Sequence, residues 1–173
     1  MATIQDIWST LGNDEHRPYV LLDVAGLERG YDQLPKAAFA TIECLFTGDL
    51  GDELRDVAPY LARITSRDNA VRDALGALMA EKVATLVELT QPGEVTFAQL
   101  HRHFRKHNLV YNIEGDPRFF RYHDPRLLIG TLAAFDAAQR ANFFGPVSRF
   151  TLHTDDQGFV RCHCQGEEFA VSA

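Results

Sequence analysis

The sequence predicts a single α/β domain, a mixed β-sheet flanked by helices, with a short C-terminal β tail. Three observations lead there. The chain has 173 residues, enough for one well-buried core and too few for two comfortable ones. Short apolar runs alternate with stripes of helical period through the first two thirds, the pattern of strands laid between helices. Beyond Phe143-Phe144-Gly145-Pro146 only strand-like runs remain. On this reading residues 1–18 are an N-terminal helix and lead-in, 19–144 the main domain, and 145–173 a β-strand tail packed on the same domain.

In order, Ile4, Ile7, Trp8 and Leu11 fall at i, i+3, i+4 and i+7, the stripe of a short amphipathic helix that Gly12-Asn13-Asp14 would end. Tyr19-Val20-Leu21-Leu22-Asp23-Val24 is nearly continuously apolar and too short for a typical helix, so it reads as a central strand covered on both faces. Leu27, Tyr31 and Leu34 suggest two helical turns stopped at Pro35, since proline disfavours helical geometry in the residue before it. A second strand spans 41–46, closed by Thr47-Gly48-Asp49. The Ala58-Pro59-Tyr60-Leu61 segment follows, and then Ser66 or Asp68 caps a helix whose Val71, Ala74, Leu75 and Leu78 form one apolar stripe.

Residues 83–89 read as a third strand, ended by Gln91-Pro92-Gly93. A helix capped at Thr96 then turns Phe97, Leu100 and Phe104 inward and leaves Arg102, Arg105 and Lys106 outside. Residues 109–113 and 118–122 flank Glu114-Gly115-Asp116-Pro117, the composition of a hairpin loop. A helix from Pro125 presents Leu128, Leu132 and Phe135 on one face. The tail carries strands at 147–152, 159–164 and 169–171, with Asp155-Asp156-Gln157-Gly158 as a turn.

Composition narrows the function classes. With 17 Lys and Arg against 24 Asp and Glu, the net charge of -7 repels a phosphate backbone, so nucleic acid is not an expected partner. No window approaches the roughly 18 apolar residues of a spanning helix, and no basic-then-apolar leader opens the chain, so no membrane association and a cytoplasmic location are expected. Cys44, Cys162 and Cys164 are odd in number and fit reduced thiols. Neither a Walker loop nor G-x-G-x-x-G appears, and no cofactor is expected.

Ionisable residues gather in three places. In Phe119-Phe120-Arg121-Tyr122-His123-Asp124-Pro125-Arg126, Asp124 and Pro125 form a complete helix start: the carboxylate accepts the free amides of the first turn, and proline at the first position forfeits no hydrogen bond. Arg121 and Arg126 suit carboxylates, whether of this chain or of a partner. A small hydrolase using His123 and Asp124 is the alternative, although there is no G-x-S-x-G elbow to supply its nucleophile. His101, His103 and His107 lie at the border of an apolar stripe beside a basic face, which favours a partly exposed helix border over a metal site. His153, Cys162, His163 and Cys164 offer a zinc module as a further alternative, but Cys-x-Cys spacing on a strand favours two buried thiols.

Four segments in order, Tyr19-Val20-Leu21-Leu22-Asp23, Cys44-Leu45-Phe46-Thr47-Gly48, Ala58-Pro59-Tyr60-Leu61 and Phe120-Arg121-Tyr122-His123-Asp124-Pro125-Arg126, resemble the effector-adaptor chaperones of bacterial type VI secretion systems. That family was first catalogued as a domain of unknown function. The resemblance runs from about Tyr19 to Phe144, with His123 standing where the family pattern favours an aromatic. It implies a bacterial cytoplasmic, non-enzymatic adaptor that binds a secreted effector and loads it onto its cognate VgrG spike protein. The surfaces such an adaptor would use are the basic face of Arg102, Arg105 and Lys106, the corner of Arg121, Tyr122, Asp124, Pro125 and Arg126, and the edge of the β tail.

Overall fold

The computed structural model describes residues 2–11, 18–46, 48–91, 93–112, 114–165 and 168–172. The helix stop expected at Gly12-Asn13-Asp14 lies outside them, as do Thr47, Pro92 and Ile113 of the expected strand ends and turns. The expected α/β domain is present. Seven strands form one sheet: β1 (Tyr19–Asp23), β2 (Phe39–Cys44), β3 (Pro59–Ile64), β4 (Ala84–Leu89), β7 (Val147–Thr154), β8 (Gly158–Gln165) and β9 (Glu168–Ser172), in the order β2-β3-β1-β4-β7-β8-β9. A separate hairpin joins β5 (Leu109–Tyr111) to β6 (Pro117–Phe119). The pairings along the main sheet are antiparallel, a direction that alternation of strands and helices does not by itself specify.

Strand alternation divides the interior into two layers. Val20 and Leu22 of β1, Tyr60, Ala62 and Ile64 of β3, and Ala84 and Leu86 of β4 face one core. That core is covered by α1 (Ile4–Thr10) and α3 (Asn69–Ala80), with short 3-10 turns at Val24–Gly26, Gly30–Gln33 and Lys36–Ala38, while the short α2 (Asp49–Glu53) lies between β2 and β3 in the chain. Leu21, Leu61 and Val87 face the other, beneath α4 (Phe97–Arg105), α5 (Pro125–Ala134) and α6 (Ala137–Phe144). β1 is therefore an interior strand buried on both faces, as its apolar run predicts.

Most helix starts follow the expected chemistry. Asp68 caps α3, Thr96 and Gln99 form a reciprocal capping box on α4, and Asp124 caps α5 with Pro125 in its first turn. Two expectations change. The two helical turns through Leu27, Tyr31 and Leu34 are successive 3-10 turns, because Gly30 at φ +51° interrupts the repeat where a Cβ would strike the Asp56 backbone. The Ala58-Pro59-Tyr60-Leu61 segment opens β3, a full interior strand, since proline at a strand's first residue removes little from the ladder. The C-terminal strands join the domain through its sheet, since β7 pairs with β4 and continues it.

Candidate functional site

β1, β2 and β3 place their motif residues at one end of the sheet. Asp23 pairs with Pro59, and Cys44 pairs with Tyr60. Two carbonyls left at the end of β2 are taken by the α4 region: His101 Nε2 lies 2.8 Å from the Cys44 oxygen, and the Asn108 amide donates to Leu45 at 2.6 Å. Against this end comes the stretch between β6 and α5. Tyr122 is fully buried in the second core, stacked on Phe104, its hydroxyl 2.9 Å from both the Phe104 carbonyl and Asn108 Oδ1. Burial holds its phenol well above the ordinary range.

Either side of Tyr122, the charged groups engage one another. Arg126 grips Asp124 through both arms of its guanidinium, Nε to Oδ1 and Nη2 to Oδ2, each at 2.8 Å. Its backbone amide also donates to Oδ1 at 3.0 Å, the cap of α5. Arg121 Nη2 bridges two carboxylates, 3.1 Å from Asp124 Oδ2 and 3.3 Å from Asp23 Oδ2. Asp23 and Asp124 are 1% and 2% exposed, so two buried acids are matched by two arginines whose guanidiniums reach solvent. Burial works to raise the Asp124 pKa, and it is outweighed by the Arg126 side-chain and backbone hydrogen bonds, then by the charges of Arg126 and Arg121, so the carboxyl titrates below its usual value.

His123 faces Asp23 rather than Asp124, with Nε2 4.0 Å from Asp23 Oδ1. Its Nδ1 and that Oδ1 have no hydrogen-bond partner among the described residues. Burial, opposed by Asp23 and Asp124 and aided by Arg121, lowers the imidazole to about 4, so the ring is neutral at physiological pH. This corner is an electrostatic joint between the end of β1 and the start of α5. Sequence reasoning found Arg121, Tyr122, Asp124, Pro125 and Arg126 but not the partner role of Asp23; the available signal was an acid closing a strand with no polar neighbour in sequence.

The other sequence-derived residues lie elsewhere. Arg102, Arg105 and Lys106 are exposed on the last turn of α4 and line a groove of about 590 Å³ with Leu45, Phe46, Asn108, Leu109, Tyr111 and Phe119. The reading of His103 and His107 as a half-exposed border is corrected: they are 7% and 9% exposed. The end of α6 covers them, His103 Nε2 meeting the Phe143 carbonyl at 2.8 Å while the His107 ring packs on His103 and Phe143. In the tail, Cys162 and Cys164 face the second core, whereas the His153 ring packs on Phe159 of the first. Among the described residues no three His, Cys, Asp or Glu side chains gather as a ligand set.

The sequence model of the family described as Domain of unknown function (DUF4123) matches residues 18–142. The chain belongs to this family. No curated protein and no solved structure gives a significant match. In this DUF4123 domain the matched span runs from the residue before β1 to within α6 and includes the whole Asp23, Arg121, Asp124 and Arg126 joint. The strands β7, β8 and β9 lie beyond it.

Proposed function

We propose that this chain is an adaptor chaperone of a type VI secretion system, binding an effector in the bacterial cytoplasm and loading it onto its cognate VgrG spike. The observation that carries the reading is the convergence of the four motif segments. Separated widely in sequence, they meet at one end of the sheet, where their ionisable groups bind one another. A family signature of that kind specifies a scaffold, and a scaffold acts through the surfaces it displays. No described helix is long and apolar enough to cross a membrane, in keeping with the proposed location.

The hydrolase alternative draws no support from this corner. Asp124 is engaged by a helix start and a bidentate arginine, and His123 is turned toward a second acid. The zinc alternative fares no better, since its cysteines and His153 face opposite layers of the sheet. The deciding experiment is co-expression of the chain with the effector and the VgrG encoded beside its gene, followed by affinity capture. A stable complex with the effector is expected. Capture of neither protein would overturn the proposal.

A further inference from the structure

Resting on the adaptor reading, we infer that the groove between the last turn of α4 and the β5–β6 hairpin is the cargo site, and that it takes an acidic segment bearing large apolar side chains. Exposed large hydrophobics are concentrated here. Tyr111 is 69% and Phe119 61% exposed, with Leu109 and Val110 beside them on the same three-residue strands. Phe46 reaches out from the end of β2 to pack on Phe119, ring centroids 5.7 Å apart, so an aromatic shelf joins the hairpin to the main sheet. Its floor is rigid, because Leu45 is fully buried and its carbonyl is held by Asn108. A contiguous apolar patch of this kind, rimmed by charge, marks a binding surface.

Charge identifies the occupant. Arg102, Arg105 and Lys106 form one wall, and among the described residues no carboxylate lines the groove. Elsewhere Arg55, Arg72, Lys82, Arg121 and Arg126 each contact an acid, while among the described residues these three contact none. Cations at a helix C-terminus offset the macrodipole, but that is equivalent to only about half a charge. Three guanidinium and ammonium groups therefore leave a local positive excess on a chain of net charge -7. Carboxylates flanking an aromatic or aliphatic anchor would neutralise the wall and cover the shelf together. An oligonucleotide would meet the same cations and the same aromatic shelf, but a chain of net charge -7 repels a phosphate backbone at long range, which favours an acidic protein segment.

The test uses the full chain and the effector encoded beside its gene. Arg105→Glu with Lys106→Glu should weaken capture about tenfold or more and flatten its salt dependence. Tyr111→Ser with Phe119→Ser should weaken it comparably while leaving the salt dependence intact. These side chains are exposed, so melting temperatures should stay near that of the parent, and Arg29→Glu, exposed elsewhere, should capture normally. Hydrogen exchange should slow in residues 102–119 when the effector binds. If folded groove variants capture as well as the parent, the groove is not the cargo site, although the adaptor reading stands. If the parent captures neither effector nor VgrG, both fall. Displacement of the effector by a single-stranded oligonucleotide would also overturn the inference, making the wall a nucleic-acid surface.

Discussion

Asp124 does three things with one carboxylate: it caps α5, accepts the fork of Arg126 and meets Arg121. Replacing it with alanine removes the cap, about 1 kcal/mol, and two ion pairs whose arginine ends reach solvent, adding about 1 kcal/mol in all. Chemical denaturation of Asp124→Ala should therefore show a larger loss than Asp124→Asn, which keeps an oxygen for the cap. His123 makes a prediction of a different kind. Burial lowers its pKa from 6.5 to about 4, and His107 is lowered to about 4 chiefly by burial as well. A depressed histidine pKa means that the unfolded chain takes up protons first as pH falls. Stability is thus fully present above about 6.5 and drains away toward 4, by at most about 1.4 kcal/mol per pH unit for each such ring. His123→Phe, which keeps an aromatic ring but removes the titrating nitrogens, should make the slope of denaturation free energy against pH shallower across that window. An unchanged slope would mean that the buried ring is not what titrates.

Helices whose boundaries are written in local chemistry were legible: the caps at Asp68, Thr96 and Asp124 lie where the side-chain types place them. α6 was not, because only two residues separate it from α5 and the apolar spacing runs on through Phe135. Its usable signal was Asp136 with Gln139, a reciprocal capping box. β3 was also missed as a strand, since Pro59 looks like a breaker when its neighbours in space are unknown. The end of α6 supplies a test. Gly145 has φ +49°, and a Cβ there would lie 2.5 Å from the His103 ring. Gly145→Ala should cost about 1–3 kcal/mol through backbone strain and crowding of a packed imidazole. Equilibrium unfolding would measure the loss, and an altered His103 ring resonance would locate it.

Taken whole, the domain is one sheet with a core on each side, and that much follows from alternation and length. The joint at its end was only half legible. Arg121 through Arg126 announce themselves by composition, whereas Asp23 lies 98 residues from Arg121, a distance over which no local pattern operates. The place of the last strands was equally hidden. β4 is covered by β1 on one edge and by β7 on the other, through Leu86 to Thr151 and Val87 to Phe150. A chain cut after Gly145 keeps the family-matched residues but leaves that second edge bare. Such a fragment should aggregate, seen as light scattering on purification, while the full chain stays clear. A monomeric, folded fragment would show that β4 needs no second neighbour.

The same order of strands has a consequence for synthesis. β4 leaves the ribosome well before β7 exists, and at about 5–20 residues per second the nascent chain waits several seconds with an apolar strand unpaired along one side. α4, the hairpin, α5 and α6 are all made in that interval, and they can settle over one face of the strand but not along its edge. A general holdase, or a translation rate fast enough downstream of Leu89, would then decide how much of this chain survives to carry anything else.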